Sequence, residues 1–311
     1  MRKLHADEVA TDASLARRLV TAQFPQWADL EVEPVEEDGT DNATYRLGDE
    51  LSVRLPRGPR RGVGQVDKDL RWLPVLAPLL PLAIPAPIAK GMPAEGYPFE
   101  WGIYGWLLGE PASPDRIADP TRAAMDLARF LTALQRVDTT GGPPGGPPHT
   151  SRGVAVRTRD AQTREAIAAL HGEVDVEAVT EMWEAALRAP DWQGPPLWVH
   201  GDLMPGNLLA REGRLSAVID FSALCVGDPA NDVMVAWTFL TSETRGSFRA
   251  ELGVDDATWA RGRGWALSWA LIALPYYLHT HPPIVRDARR TIDEVLADPE
   301  SAWYGPGPGK T

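Results

Sequence analysis

Apolar and polar residues alternate with different periods in the two parts of the chain. Residues 30–35, 36–47 and 51–56 contain short apolar runs broken by turn-forming residues, which predicts two or three strands. Before them, apolar residues at 10–24 recur with helical spacing, and Asp12 stands where it would cap a helix. The pattern therefore predicts one amphipathic helix followed by a strand-rich segment.

Helical spacing dominates the rest of the chain. An aromatic strand is predicted at 99–109, after a proline-rich extended stretch at 78–87. Helices are predicted at 66–76, 119–136, 163–170 and 176–187, directly after Asp232, and from Asp255 or Asp256 onwards. Residues 139–148 contain only Thr, Gly and Pro, and they predict a loop.

Polar residues flank a predicted hairpin late in the chain. Two apolar runs, 208–210 and 215–219, enclose a polar turn that contains Gly213, which is a hairpin signature. Asp202 precedes the first run together with Asn207, and Asp220 ends the second run. Because a hairpin returns the chain on itself, we expect Asn207 and Asp220 to come together.

These side chains suit phosphoryl transfer, which depends on positioning and charge neutralisation more than on covalent help from the protein. Asp202 would orient the attacking hydroxyl and accept its proton. Asn207 and Asp220 offer hard oxygen ligands and would hold Mg²⁺ on nucleotide phosphates. His200 is expected to orient the loop rather than to react. The alternative is a buried hairpin flanked by turn-forming Asp and Asn residues.

Three segments carry a resemblance to a known family. Residues 200–202, His-Gly-Asp, together with Asn207 resemble the catalytic loop of protein kinases in the form used by aminoglycoside phosphotransferases. Residues 219–221, Ile-Asp-Phe, resemble the metal-binding segment of that family, and residues 227–229 with Asp232 resemble the segment after it. The resemblance implies that Asp232 braces the backbone of the catalytic loop.

One position departs from the family pattern. Ser222 follows Asp220 and Phe221, where kinases usually have glycine. Serine reaches positive φ less easily than glycine, so this segment is not expected to flip as it does in regulated kinases. The assignment of Asp220 as a metal ligand is unaffected.

The resemblance implies an α+β chain with a two-lobed, protein-kinase-like fold. The first lobe, residues 1–106, would be an antiparallel sheet with a helix, and the second, residues 107–311, would be mainly helical. The resemblance also implies direct transfer of the γ-phosphoryl group of ATP or GTP, with Mg²⁺, to a hydroxyl of a small molecule. Separate signals in the right chain order support this interpretation more than any single motif does.

The same resemblance assigns residues to nucleotide binding. Gly39 and Asn42 lie in a Gly-x-x-Asn-x-x-Tyr pattern that resembles the loop covering the nucleotide, although an ordinary hairpin turn would look the same. The nucleotide base would lie against Ile103, Tyr104 and Trp106, and would bond mainly to backbone.

A phosphate-binding pair is also implied. Arg54 stands mid-strand, where kinases place a lysine on the α- and β-phosphates. Its acid partner is expected on the next helix, which offers Asp67 and Asp69. Asp69 is the better match because it shares a helix face with Leu73 and Leu76.

Composition narrows the classes of function. With 311 residues, 44% hydrophobic and 24% charged, the chain is typical of a globular protein of one large domain or two lobes. A net charge of −12 argues against nucleic-acid binding and is compatible with a cationic acceptor. Cys225 is the only cysteine, which excludes an intrachain disulfide, and it is expected to be a small buried hydrophobe.

We expect neither a signal peptide nor a membrane segment. Acidic residues follow Arg2 and Lys3 before an apolar core could begin. The longest apolar run, 266–278, is too short to span a bilayer. A cytoplasmic location is therefore expected.

The acceptor is open to three interpretations. The resemblance implies an aminoglycoside or a related antibiotic. The alternative is a metabolic kinase that acts on an amino sugar, a choline-like alcohol or homoserine, because fold does not fix function. A third hypothesis is a pseudokinase that binds nucleotide without transfer. The intact Asp202, Asn207 and Asp220 argue against it, whereas Arg54 and Ser222, which replace the usual lysine and glycine, keep it open.

Two patterns near the end of the chain have competing explanations. The aromatic residues within 259–277 line either the core or the acceptor pocket. His279 and His281 have metal-ligand spacing, but no Cys or carboxylate stands beside them, so a metal site is not expected there.

Overall fold

The computed structural model describes residues 8–35, 42–58, 64–147 and 151–298. The chain forms two compact units. The first unit comprises residues 1–110 and 216–222, and the second comprises residues 111–215 and 223–311. Residues 216–222 thus belong to the first unit, and the boundary predicted after residue 106 stays a prediction.

A five-stranded antiparallel sheet forms the body of the first unit. Its strands are β1 (Val32–Pro34), β2 (Asn42–Leu47), β3 (Leu51–Pro56), β4 (Pro87–Gly91) and β5 (Trp101–Gly105). They lie in the order β1–β2–β3–β5–β4. Two helices belong to the same unit, α1 (Ala13–Gln23) and α2 (Gln65–Leu76).

The core of the first unit confirms the predicted alternation. Ala43, Tyr45 and Leu47 of β2 are buried, and the residues between them are partly exposed. They share one hydrophobic core with the buried face of α1. This helix begins as predicted, because the Asp12 carboxylate accepts the N–H of Leu15 at 2.7 Å.

The second unit is mainly helical. Its helices are α3 (Pro120–Gln135), α4 (Asp160–Ala169), α5 (Val176–Arg188), α6 (Ala230–Val233), α7 (Val235–Thr238), α8 (Ser242–Leu252), α9 (Asp256–Tyr277) and α10 (Pro282–Leu296). The remaining strands are short: β6 (Glu110–Pro111), β7 (Leu197–Val199), β8 (Leu208–Arg211), β9 (Arg214–Val218) and β10 (Cys225–Gly227). Of these, β6 begins and β9 ends with residues of the first unit. Strand β7 pairs antiparallel with β10, and a further sheet has the order β6–β8–β9. The predicted α+β class is confirmed.

The predicted hairpin is present as β8 and β9. Glu212 and Gly213 form its turn with φ of 53° and 74°. Positive φ at both central residues matches the twist of paired strands, so the turn closes without splaying them. The hairpin leaves Asn207 directly before β8 and Asp220 shortly after β9.

Helix α9 provides much of the core of the second unit. Asp255 caps it, as predicted, by accepting the N–H of Thr258 at 2.6 Å. Trp259 and Trp265 are buried, which assigns these two aromatic side chains to the core. Cys225 is also wholly buried and is not in a disulfide, which confirms its predicted role. Within the described ranges, no helix has both the length and the apolar character to cross a membrane.

Some helices differ from the sequence prediction. The single helix predicted after Asp232 is two short helices, α6 and α7, and Asp232 lies inside α6 rather than at its start. Helix α10 is not evident from the pattern because it opens with Pro282 and Pro283, which resemble a break. Proline is favoured in the first turn of a helix, and the His281 ring accepts the N–H of Ile284 at 3.3 Å to cap it.

Two glycine substitutions test this packing. A Cβ added at Gly227 in β10 would lie 2.0 Å from the carbonyl oxygen of Gly153, whereas one added at Gly246 in α8 would meet open space. We expect Gly227→Ala to lower the free energy of unfolding by about 1–3 kcal/mol or more. Gly246→Ala is the matched control and should raise it by about 0.5–1 kcal/mol. Denaturant titration measures both, and equal effects would contradict the packing described here.

Candidate active site

The backbone of residues 200–207, here called the 200–207 loop, is fixed by one buried carboxylate. Asp232 is wholly buried, and it accepts the N–H of His200 at 2.7 Å and the N–H of Gly201 at 2.8 Å. Burial raises the pKa of Asp232, while the His200 charge and these two N–H groups act in the opposite direction. The prediction that Asp232 braces this loop is confirmed.

Gly201 is required by the path of the loop. Its φ is +87°, and a Cβ at this position would lie 2.7 Å from the carbonyl oxygen of Ala223. Any larger residue would therefore meet both an unfavourable backbone conformation and a backbone atom. Its carbonyl oxygen is held by the Nδ2 group of Asn231 at 3.1 Å.

Asp202 and Asn207 come together in this loop. The buried His200 ring accepts the N–H of Asp202 through Nδ1 at 3.2 Å, so the histidine orients the loop as predicted. The Asn207 amide Nδ2 donates to the Asp202 carbonyl at 2.8 Å and to its carboxylate Oδ2 at 2.9 Å. Asn207 therefore fixes the Asp202 carboxylate with its nitrogen, and its Oδ1 is the remaining hard ligand of that side chain.

Arg152 also contacts this loop, and no sequence motif predicts this contact. Its Nε donates to the Gly201 carbonyl at 2.7 Å, and its Nη2 lies 3.5 Å from Asp202 Oδ1. Arg152 lies about 50 residues before Asp202 and close to the Gly- and Pro-rich loop. Since no local motif surrounds it, only the tertiary structure reveals the contact.

A second group of charged residues lies in the first unit. Arg54 on β3 has Nη2 3.9 Å from Asp220 Oδ2, and its guanidinium lies over the Tyr104 ring at 5.5 Å from the centroid. Asp220 adopts φ of +61°, which is uncommon for any residue except glycine, and its Oδ1 accepts the N–H of Ser222 at 3.1 Å. The left-handed position in this segment is therefore Asp220 itself, and Ser222 is not required to adopt it.

Lys68 also contacts this segment. Its Nζ donates to the Ser222 carbonyl at 2.5 Å. Lys68 stands on α2 between the two candidate acids, Asp67 and Asp69. Its contact could not be predicted from the sequence, because a lysine on an amphipathic helix carries no distinguishing pattern.

Asp69 is the buried acid of α2. Tyr104 donates its hydroxyl to Oδ2 at 2.8 Å, and Gln65 donates to Oδ1 at 2.7 Å. Burial raises the pKa of Asp69 to about 6, against the opposing effects of the Tyr104 hydroxyl and the Arg54 and Lys68 charges. Asp67 is instead exposed and pairs with Lys90 at 2.7 Å. The choice of Asp69 as the acid on the packed face is confirmed, and Arg54 acts on it electrostatically.

The two predicted metal ligands do not form a pair within either unit. Asn207 belongs to the second unit and Asp220 to the first. In the described ranges, no group of three or more His, Cys, Asp and Glu side chains is arranged to hold a metal ion. A shared magnesium ion therefore stays a prediction for Asn207 and Asp220.

Residues 31–265 match the family model of the phosphotransferase enzyme family. The match spans more than half of the chain. The chain belongs to this family. The resemblance carried by residues 200–207 and 219–232 is thereby confirmed at the level of the family.

Solved phosphotransferases share the fold of this one. The GDP and kanamycin complex of APH(2")-IIia aligns with a TM-score of 0.71 at 20% identity, covering 91% of this chain and 98% of that chain. The apoenzyme of macrolide 2'-phosphotransferase MphH from Brachybacterium faecium aligns with a TM-score of 0.58 at 22% identity, covering 96% and 100%. The predicted kinase-like fold is confirmed.

A curated relative is also similar in sequence. The uncharacterized protein YcbJ of Bacillus subtilis (strain 168) is 27% identical over 164 residues. The match covers 51% of this chain and 49% of YcbJ, so the chain matches about half the length of that relative.

Four of the other residues predicted to contact the nucleotide lie on or directly after strands β2 and β5. Gly39 lies outside the described residues, and Asn42 opens β2 with its carbonyl bonded to Arg57 Nε at 3.2 Å. Ile103 and Tyr104 are buried within β5. The N–H of Trp106 donates to the Glu50 carbonyl at 2.7 Å and is therefore already used.

The backbone directly after Trp106 forms fewer hydrogen bonds in the described part of the chain. Leu107 and Leu108 lie outside strands, and in the described part of this phosphotransferase their N–H groups have no backbone acceptor. Leu108 is also exposed. These two residues directly follow the predicted base-binding segment.

The buried carboxyl of Asp69 predicts a pH effect on stability. Its folded-state pKa of about 6 lies above the ordinary Asp value of 3.8, so the folded protein binds the proton more tightly than the unfolded chain. The contribution of Asp69 to the free energy of unfolding therefore falls as pH rises from about 4 to 6. Relative to Asp69→Asn, the wild type should lose up to about 3 kcal/mol across that window. Denaturant titrations at several pH values measure the difference.

Asp67→Asn is the control for this comparison. Its carboxylate is exposed and paired with Lys90, so the difference from wild type should change far less across the same window. If the Asp69→Asn and Asp67→Asn curves ran parallel, burial would not control the Asp69 proton.

Proposed function

We propose that this phosphotransferase transfers the γ-phosphoryl group of ATP or GTP to a hydroxyl of a small molecule. The observation that carries the proposal is the 200–207 loop, in which the Asp202 carboxylate is held by Asn207 and the backbone beneath it by Asp232. Phosphoryl transfer depends on such positioning because the protein itself forms no covalent bond.

Asp202 is proposed to orient the acceptor hydroxyl and to accept its proton. A carboxylate suits this role when its orientation is fixed and it lies within hydrogen-bond reach of the hydroxyl. Asn207 engages Oδ2, and Oδ1 faces Arg152 at 3.5 Å, so both oxygens have defined environments. No phospho-enzyme is required, because the hydroxyl attacks the phosphorus directly.

Asn207 and Asp220 are proposed to hold Mg²⁺. The fit rests on the donor set: the Asn207 nitrogen is used inside the loop, which leaves its oxygen as ligand, and Asp220 provides a carboxylate on a strained backbone position. When bound, the ion neutralises charge on the nucleotide phosphates. Both side chains supply oxygen, which Mg²⁺ prefers over nitrogen or sulfur.

The nucleotide is proposed to bind through charge and backbone groups of the first unit. Arg54 would hold phosphate oxygens with its guanidinium fork, supported by Tyr104 beneath it and by Asp69. Gly39 and Asn42 are proposed to cover the phosphates, and Ile103, Tyr104 and Trp106 to border the base. Solved relatives are described as complexes with GDP, ADP and ATP, which supports a nucleotide donor without choosing between purines.

Two classes of acceptor are proposed. Solved relatives are described with kanamycin, gentamicin and streptomycin, or as macrolide phosphotransferases, which favours an antibiotic hydroxyl. A metabolic acceptor, such as an amino sugar, a choline-like alcohol or homoserine, is the second candidate. Of these three acceptors only homoserine carries a carboxylate, and the arginine pair beside Asp202 favours an acceptor with such an anionic group. A nucleotide-binding pseudokinase is the outcome if no acceptor supports turnover.

The Asp202→Asn variant tests the proposed reaction. We expect acceptor-dependent release of ADP or GDP to fall by roughly 10²- to 10⁴-fold, because the hydroxyl loses its proton acceptor. Nucleotide affinity, measured by calorimetry, should change little. The assay would contain Mg²⁺ and span aminoglycosides, macrolides, amino sugars and amino alcohols.

Asp191→Asn is the control for that assay, since Asp191 forms a surface pair with Arg157. Its turnover should match the wild type. Near-normal turnover by Asp202→Asn would remove Asp202 from the mechanism. Tight nucleotide binding without release over the whole panel would instead favour the pseudokinase.

Asp220→Ala tests the proposed metal ligand. With Mg²⁺ present, nucleotide affinity should fall by roughly tenfold or more, because a charged oxygen ligand is lost. With the metal chelated, wild type and variant should bind nucleotide almost equally. Affinity that is the same in both proteins with Mg²⁺ present would exclude Asp220 as a ligand.

A further inference from the structure

Arg159 of the second unit has an unusual environment for a half-buried cation. It ends the 3₁₀ turn Val156–Arg159 and directly precedes α4. Its Nε donates to the Ser268 hydroxyl at 3.4 Å, and its carbonyl accepts the Thr163 hydroxyl at 2.8 Å. Those two hydroxyls are themselves hydrogen-bonded at 2.7 Å. The network fixes the stem of Arg159, while its terminal nitrogens have no acceptor among the described residues.

None of the described carboxylates compensates the charge of Arg159. Burial, together with the charge of Arg152, lowers its pKa to about 10. The next residue, Asp160, accepts hydrogen bonds from Arg164 and from the Trp183 indole instead. The amino end of α4 adds partial positive charge at the same place. Burying a cation without a counter-charge costs free energy, so the position of Arg159 needs an explanation.

Arg152 lies beside Arg159. Both guanidinium groups lie over the buried Trp265 ring, at 5.9 and 5.8 Å from its centroid. The ring face attracts both cations, which partly offsets their mutual repulsion. Arg152 also reaches Asp202, with Nη2 at 3.5 Å from Oδ1. The arginine pair therefore adjoins the carboxylate proposed to orient the acceptor hydroxyl.

We propose that Arg152 and Arg159 bind an anionic group of the acceptor, a carboxylate or a phosphate, so that the acceptor is a hydroxylated acid. The inference rests on the proposed kinase function for its assignment of the ligand as acceptor. Planar guanidinium groups pair with carboxylate and phosphate oxygens through parallel N–H bonds, and two of them give both charge and orientation. The anion would supply the counter-charge that the described side chains around Arg159 do not.

A purely structural role explains only one of the two arginines. Arg152 supports the 200–207 loop through the Gly201 carbonyl. Arg159 supports its own turn through Nε, but its terminal nitrogens donate no hydrogen bond to the described residues. A polycationic acceptor such as an aminoglycoside would meet like charge here, which is costly at short range.

The experiment compares four sugars that share one ring and differ in charge. Nucleotide release with Mg²⁺ would be measured with glucuronate, glucose 6-phosphate, glucose and glucosamine, using wild type, Arg159→Gln and Arg159→Lys. The control is Arg157→Gln, which removes an exposed cation from the same 3₁₀ turn, where it pairs with Asp191. Binding of the same sugars would be measured by calorimetry without nucleotide, and folding by thermal melting.

We expect one of the anionic sugars to have the highest kcat/KM, with the carboxylate and phosphate arms identifying which group is bound. Arg159→Gln should raise KM for that sugar by roughly ten- to a hundredfold and leave kcat and the KM of glucose nearly unchanged. Arg159→Lys should recover part of the loss, and Arg157→Gln should behave as wild type. The split between KM and kcat distinguishes binding of the anion from general damage.

Preference for glucose or glucosamine, or equal anion binding by wild type and Arg159→Gln, overturns the inference. Failure to bind either anion overturns it as well. If Arg159→Gln does not fold, the same comparison is read from Arg159→Lys and wild type. Anion binding that depends on Arg159, without phosphoryl transfer to any sugar, would support the anion site and overturn its assignment to the acceptor, while the kinase function is tested separately by the Asp202→Asn assay.

Discussion

The buried carboxylate of Asp232 is the constraint on which the rest of the candidate site depends. It accepts two successive backbone N–H groups, those of His200 and Gly201, and thereby fixes the peptide units that precede Asp202. Burying a carboxylate is costly unless hydrogen bonds compensate, and here both oxygens are used. The loop is then tightened from its other side, where the Asn207 amide joins the Asp202 carbonyl and carboxylate. The geometry near Asp202 thus comes from hydrogen bonds between groups of the chain itself.

The first unit has its own charge balance around Arg54. This guanidinium lies over Tyr104 and 3.9 Å from Asp220, while the Tyr104 hydroxyl donates to the buried Asp69. Desolvation and neighbouring charge act in opposite directions on Asp69, and desolvation is the larger effect because the pKa is raised. Asp220 has a left-handed backbone conformation, which is locally strained. Such strain is common at sites where the orientation of a side chain is fixed for function.

Much of the fold could be predicted from the sequence because local chemistry specifies it. Caps at Asp12, Asp119 and Asp255 mark helix starts, and the alternation in β2 marks its buried face. Helix α10 was not predicted because its first turn begins with two prolines. Helices α6 and α7 were predicted as one helix because a short apolar run does not show where a helix breaks. The roles of His200 and Asp232 could be predicted from motif order, whereas Lys68, Arg152 and Arg159 could not, since their partners are distant in sequence.

The sequence by itself determined the family and the α+β class, because fixed spacing within 200–207 and 219–232 is a local property of the chain. The same spacing predicts which residues carry the chemistry. The sequence also determined that Asp69 rather than Asp67 faces inward, through helical register. Only the tertiary structure decided which charges meet: Arg54 with Asp220, Tyr104 with Asp69, and Arg152 with Asp202. Such pairs depend on burial and on contacts between distant segments. The same long-range packing fixes the stem of Arg159 over Trp265.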